Sequence, residues 1–146
     1  MGETTAFDVA NISLKNKGVM SAMKLQKLVY YSQAWSLVWD DTPLFNNKIE
    51  AWANGPVIPD LYHKHKGQYH VTTADFSSYA TNGLTASQKE SIDVVLDAYG
   101  KKSAQWLSDQ THTEAPWLKA RKSLSDADRG DQEITLESMA EYYGSL

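Results

Sequence analysis

The stretch SAMKLQKLVYYSQAWSLVWD, residues 21–40, decides the fold. The serine that opens it is a residue type that caps helices, so the pattern predicts a helix over 22–39. At 100° per residue, Gln26, Gln33 and Asp40 fall on one narrow stripe, and almost every other position is apolar. A helix that is apolar nearly all round is buried by its neighbours. We therefore predict that this helix lies at the centre of the molecule.

Short signals on either side of this stretch predict further helices. They are side chains that cap a first turn, or a proline within that turn. In chain order they are Thr5 with Asp8, Pro59, Thr85 with Gln88, Ser103, Pro116 and Thr135. In the last helix, which Gly144 ends, we expect Leu136, Met139, Ala140 and Tyr143 to face inward. The predicted fold class is mainly α (α+β), with residues 1–146 forming a single compact helical domain around the buried central helix.

The remaining segments predict a small β-hairpin, a turn and two loops. Apolar runs at 44–45 and 49–52 flank Asn46-Asn47, which predicts a hairpin around those asparagines. Gly55 and Pro56 then predict a turn. Residues 67–84 lack clear periodicity and are expected to form a long surface loop. The polar stretch 123–131 is expected to form a mobile loop.

Composition restricts the class of protein. The chain has 146 residues, 42% of them apolar, which suffices for one packed core. It has 0 Cys, so it forms no disulfide and no thiolate site. A net charge of −4 disfavours binding to nucleic acid. Neither a secretory signal nor a long apolar run is visible, so we expect a cytoplasmic protein without membrane contact.

Two histidine motifs are the candidates for metal binding or catalysis. His63 and His65, two positions apart on a helix, point about 200° away from each other and do not readily share one ion. With the neighbouring lysines they predict a solvated basic face. His112 and Glu114, after Asp109, form the better acid–base or metal pair, but no nucleophile accompanies them. We therefore expect structure or partner contact from this pair, and no metal, cofactor or catalysis.

Small basic clusters occur at Lys24 and Lys27, at 101–102 and at 119–122. Such clusters are most often solvated faces, and no helix–turn–helix spacing or basic arm organises these. A nucleic-acid-binding regulator is therefore a weaker alternative than a protein-binding module.

Three ordered blocks of the sequence resemble one known family. They are MKLQKLVYYSQ at 23–33, PLF, IEAW, GPVIP and LY between 43 and 62, and YG, SA, LS, TH and PW between 99 and 117. Together they are similar to the Panacea domain of SocA-like antitoxins, a family that includes phage-associated GepA-like proteins. The motif positions to which the resemblance gives a structural role are Lys24, Leu25, Leu28, Tyr30, Gly55, Pro56, Val57 and Pro116.

The resemblance implies an antitoxin, which neutralises a co-encoded protein toxin by binding it directly. A branch of the family implies an alternative, a proteolytic adaptor that delivers the toxin to the ClpXP protease. Some relatives carry an N-terminal DNA-binding module, for which this chain has no room, so we do not expect it to regulate an operon. A metal-dependent enzyme built on His112 and Glu114 is a weak alternative, comparable to the nucleic-acid-binding regulator.

Partner choice is expected to reside where the family pattern is weak, at 67–84 and 123–131. Protein interfaces draw much of their energy from a few aromatic anchors. The interface candidates are therefore the aromatic residues that the core does not need, with the histidine–glutamate pair: Trp52, Tyr62, Tyr69, Trp117, His112 and Glu114.

Overall fold

The computed structural model describes residues 4–79, 83–122, 124–125 and 128–146. The helices within these residues are α1 Ala6–Lys17, α2 Ala22–Trp39, α3 Pro59–His65, α4 Thr73–Phe76, α5 Ala86–Tyr99, α6 Ala104–Thr111, α7 Ala115–Ala120 and α8 Leu136–Gly144. The strands are β1 Met20–Ser21, β2 Glu50–Trp52, β3 Gly55–Val57 and β4 His70–Val71. The predicted class, mainly helical with a small hairpin, is confirmed.

The predicted central helix is α2, and it packs against α1, α5, α6 and α8. Gln26 and Gln33 of its polar stripe are buried as well, and their amides satisfy irregular backbone nearby, whereas Asp40 is half-buried. The Gln33 side chain accepts from Leu44 N–H at 2.6 Å and donates to the Phe45 carbonyl at 2.8 Å. An amide carries both a donor and an acceptor, so it can replace the backbone partners that this segment lacks. The helix is therefore enclosed along nearly its whole surface.

The predicted helix starts at Thr5, Ser21, Thr85, Ser103 and Thr135 are confirmed as N-caps. The expectation for the inner face of α8 is half wrong. Met139 and Tyr143 are buried, whereas Leu136 and Ala140 are exposed. The two pairs form neighbouring i, i+4 stripes about 60° apart, and a short helix turns only one of them towards the core.

The small hairpin consists of β2 and β3, which pair antiparallel with Ala51 opposite Pro56. Its turn is therefore at residues 53–54, and the predicted hairpin around Asn46-Asn47 is wrong. Asn47 instead accepts from Ala6 N–H at the start of α1 and donates to Asp60 on α3, which holds this segment in an irregular path. Residues 132–134 run along the outer edge of β2, where Ala51 N–H donates to the Gln132 carbonyl.

Residues 67–84 contain regular structure where a surface loop was expected. Strand β4 pairs antiparallel with β1, with Met20 opposite Val71, and α4 follows. Val71, Phe76 and Leu84 are buried in the core. The prediction failed because a two-residue strand has no periodicity to read, and its partner is about 50 residues away along the chain. Residues 80–82 of this segment lie outside the described part.

None of the helices in the described ranges combines the length and the apolar composition that crossing a membrane requires.

Candidate protein-binding site

A groove of about 380 Å³ lies beside the hairpin, between β2, β3, α3 and the first turns of α2. Its wall is mostly apolar, and a few polar groups converge on it. The lining residues are Met23, Gln26, Trp52, Ala53, Asn54, Val57, Tyr62, His65 and Arg129. A concave, mostly apolar surface with a few placed polar groups is the usual form of a binding site.

Two of the expected interface residues, Trp52 and Tyr62, meet at this groove. Their rings pack edge to face with centroids 4.9 Å apart, and both side chains are half-buried. The indole N–H of Trp52 donates to Glu50 at 2.9 Å, which fixes the ring on its strand. The pair therefore presents a pre-positioned aromatic rim, which the sequence could suggest by residue type but not by location.

His65 forms part of the groove wall and is not the solvated residue that was expected. It is 4% exposed, because it shares one face of α3 with the buried Leu61 four residues earlier. Gln26 accepts from Ile58 N–H, so its amide nitrogen points at His65 Nε2, 3.0 Å away. That nitrogen must accept, which leaves the ring proton on Nδ1. Burial lowers the pKa of His65, which keeps the ring neutral. His63 is exposed as predicted.

Trp117 and His112 lie behind the hairpin. The Trp117 indole donates to the Trp52 carbonyl at 2.8 Å, and the His112 ring stacks on Trp117 with centroids 4.0 Å apart. Trp117 is only 6% exposed, so it supports the strand from the inside and offers a partner almost no surface. This burial argues against direct contact between Trp117 and a partner. Burial also lowers the pKa of His112.

Glu114 lies in a cluster of tyrosines and is 3% exposed. Its Oε1 accepts from Tyr31 OH at 2.8 Å and from Tyr143 OH at 2.7 Å, and its Oε2 accepts from Gln110 at 3.2 Å. Burial raises the pKa of Glu114, and the phenol hydrogen bonds oppose that rise. The carboxylate of Glu114 is thus bound by side chains inside the domain. Such burial argues against direct contact with a partner.

The acid–base pair considered from the sequence is not assembled. His112 stacks on Trp117, whereas Glu114 is bound within the tyrosine cluster, and no hydrogen bond joins the two side chains. Within the described ranges, no three His, Asp or Glu side chains come together in a way that could hold a metal ion.

Lys27 is the principal residue that the sequence interpretation misplaced. It is 0% exposed, and its Nζ has no hydrogen-bond partner among the described residues, whereas Lys24 donates to the Gly100 carbonyl at 2.7 Å. Burial lowers the pKa of Lys27 to about 7. Gly55 accommodates it, since a Cβ there would lie 2.6 Å from Lys27 Cε and 2.9 Å from the Thr111 hydroxyl. The sequence signal was its position on a helix that is apolar nearly all round.

Arg121 and Arg129 were also missed. Buried Arg121 donates from Nη1 to the carbonyls of Ala51 and Arg129, at 2.8 and 3.0 Å, and from Nη2 to those of Ser125 and Asp128, at 2.8 and 2.6 Å. The described part of 123–131 is thereby fastened to β2, so the expectation of a mobile loop does not hold there. Arg129 extends over the Trp52 ring, with its guanidinium carbon 4.1 Å from the centroid.

The remaining predicted residues, apart from Val57, do not line the groove. Tyr69 is 76% exposed and its ring packs edge to face on that of His70, while its carbonyl accepts from Ala22 N–H at the start of α2. Most motif positions assigned to structure are buried, namely Leu25, Leu28, Tyr30, Gly55, Pro56, Val57 and Pro116. The groove can therefore bind an apolar group next to a polar one, and the interior behind it holds the hairpin in place.

Comparison with known proteins places this architecture in a family. Residues 25–118 match the model described as antitoxin SocA-like, Panacea domain. The chain is 30% identical over 124 residues to the antitoxin SocA of Caulobacter vibrioides (strain NA1000 / CB15N). That alignment covers 75% of this chain and 66% of the relative, so the chain spans just under two thirds of that protein's length. No solved structure matches the chain.

Proposed function

Because the chain belongs to the family of SocA-like antitoxins with a Panacea domain, we propose that it neutralises a co-encoded protein toxin by binding it directly. The family match carries this proposal, and the groove beside the hairpin supplies a surface suited to it. The complex forms in the cytoplasm, where both proteins are made. No catalytic step is part of this function.

The groove supports the proposal through its aromatic rim. Interface energy concentrates in a few aromatic and arginine anchors near the centre of the contact, and Trp52, Tyr62 and Arg129 are of these types. The rim is held in place before binding, because Glu50 fixes the Trp52 indole and Trp117 fixes its carbonyl. Pre-positioned side chains lose less conformational entropy when a complex forms. Tyr69 is a further candidate at the edge of the interface, because its ring is exposed.

Co-expression with the neighbouring gene tests the function. The neighbour alone should arrest growth, and this chain should restore growth and co-purify with it in a stoichiometric complex. With both proteins near micromolar concentration, occlusion of most of the toxin requires a dissociation constant of about nanomolar order. A harmless neighbour that forms no complex would contradict the antitoxin proposal. Rescue that needs intact ClpXP, while the isolated complex leaves the toxin active, would replace occlusion by delivery to the protease.

Two substitutions test the groove itself. Trp52→Ala and Tyr62→Ala should each weaken toxin binding by at least about 30-fold, as expected for an interface anchor. Trp106→Ala is the matched control, because Trp106 is an exposed tryptophan on α6 that does not line the groove. Each variant is checked for an unchanged circular dichroism spectrum. If Trp106→Ala abolished binding and Trp52→Ala did not, the toxin would bind elsewhere on the domain.

A further inference from the structure

The groove combines residues from two parts of the chain. Its apolar rim and floor come from α2, the hairpin and α3, and apart from Met23 these lining residues are within the 25–118 range that matches the family model. Its one strongly basic lining group, Arg129, lies beyond that range. Most of the groove wall thus comes from the matched part of the chain, whereas its guanidinium charge comes from a segment outside that match.

We propose that Arg129 selects the partner by pairing with an Asp or Glu side chain that lies next to an apolar side chain bound against Trp52 and Tyr62. This inference rests on the proposed function and adds the chemistry of the partner's contact segment. Guanidinium and carboxylate groups form two parallel hydrogen bonds in a fixed plane, so the pair gives specificity as well as affinity.

Within the groove, no carboxylate of the described residues neutralises Arg129, since none of those that line it is Asp or Glu. Glu50 and Asp131 share a second depression with Arg129, but neither forms an ion pair with it. The ion pair that the described ranges do contain joins Lys17 and Asp97 at 3.7 Å, on other elements. His65 is neutral and therefore adds no charge of either sign to the groove. Lys27, behind the groove wall, is a further basic side chain that has no partner among the described residues.

The Arg129 side chain is positioned before any partner arrives. Its own carbonyl accepts from Arg121 Nη1 at 3.0 Å, and the next residue, Gly130, has φ 79°. A Cβ on Gly130 would lie 2.5 Å from Arg121 Nη1 and 2.7 Å from the Ala51 carbonyl, so a larger residue does not fit there. The Trp52 ring then supports the guanidinium from one side and leaves its edge free for hydrogen bonds. The charge is therefore held at the groove by the fold.

The experiment measures the dissociation constant of the complex between this chain and its co-encoded toxin. Arg129→Glu should raise that constant by at least about 30-fold, because the glutamate carries the same negative charge as the partner's carboxylate and repels it. Arg129→Lys should retain part of the affinity, since lysine keeps the charge and loses the two-pronged geometry. Lys122→Glu, an exposed lysine that does not line the groove, is the control for net charge and should stay within about threefold. Equal losses for the two reversals, or an unchanged constant for Arg129→Glu, would overturn the proposal.

A second measurement identifies the paired residue. With Arg129→Glu as the background, an Asp→Arg or Glu→Arg substitution on the toxin should restore at least about tenfold of the lost affinity at one position. If no acidic position on the toxin gives such recovery, Arg129 does not pair with a carboxylate. The unsubstituted pair separates the two levels of inference. If it forms no complex, the proposed function itself fails, whereas a tight complex that ignores Arg129 refutes only the partner chemistry.

Discussion

Lys27 places its amino group inside the domain, beside Gly55. Transferring a charged ammonium out of water is costly unless hydrogen bonds and an opposite charge compensate for it. No partner of either kind reaches Lys27 among the described residues, and burial lowers its pKa from the ordinary 10.5 to about 7. At a pH below about 7, where the folded protein carries a proton on Lys27, the residue therefore lowers the free energy of unfolding.

The Lys27→Met variant should be more stable than the parent protein, by about 1–4 kcal/mol at pH 6. Between pH 7 and 10.5 the unfolded chain holds a proton on Lys27 that the folded chain has released, so the parent gains stability as the pH rises. The advantage of the methionine variant should therefore be constant below about pH 7. It should shrink by up to about 1.4 kcal/mol per pH unit towards pH 9.5.

Urea unfolding of both proteins from pH 6 to 9.5 measures this difference, which also cancels the titration of groups that both proteins share. Lys122→Met is the matched control on the surface and should change the unfolding free energy by no more than about 0.5 kcal/mol at every pH. If Lys27→Met were less stable than the parent throughout, Lys27 would have a compensating partner in the folded state.

At the level of elements, α2 joins the parts of the domain. It packs against α1, α5, α6 and α8, and the amide of Gln26 connects it to the segment after the hairpin. Tyr31 on the same helix donates to Glu114, which also accepts from Tyr143 on α8. One helix thus holds both the hydrophobic core and the polar cluster, and damage to it should affect every layer.

Leu28→Ala should lower the free energy of unfolding by about 2–5 kcal/mol, because the surrounding side chains only partly fill the resulting cavity. Leu28 is fully buried at the middle of α2. Chemical denaturation followed by circular dichroism gives the value. Leu136→Ala makes the same change at an exposed helical position and should cost no more than about 1 kcal/mol. Equal costs for the two variants would remove α2 from the centre of the core.

At the level of the whole molecule, contacts run between distant parts of the chain. Residues 132–134 lie against β2, Arg121 holds the Ala51 carbonyl, and α8 reaches α2 through the hydrogen bond between Tyr143 and Tyr30. The core cluster includes residues from α1 to α8. The buried core is therefore shared between elements from both halves of the chain.

We expect the chain to unfold in a single cooperative transition, as one domain. Tryptophan fluorescence reports on α2, the hairpin, α6 and α7, and far-ultraviolet circular dichroism reports on all helices. The two denaturation curves should therefore coincide and give one midpoint. A fluorescence transition that clearly precedes the loss of helix would show instead that part of the chain unfolds as a separate unit.

The sequence by itself determined the features that depend on near neighbours along the chain. The caps at Thr5, Ser21, Thr85, Ser103 and Thr135 involve groups no more than four positions away, so the residue types suffice to predict them. The central position of α2 followed from its apolar surface, which no exposed helix can carry. The family resemblance rested on three ordered blocks of sequence, within 23–33, 43–62 and 99–117, and the family match confirms it.

Only the tertiary structure decided how the site is assembled. The hydrogen bond from Tyr31 to Glu114 spans 83 positions and the one from Arg121 to Ala51 spans 70. The pairing of Met20 with Val71 also joins residues that are far apart along the chain. His65 and Lys27 are buried because other elements pack over the helix faces that carry them. The residue types around each of them would fit an exposed face equally well. Arg129 reaches the groove because the backbone carbonyls around it bind Arg121. Such contacts form between groups that become neighbours only when the chain has folded, so residue types and spacing leave them open.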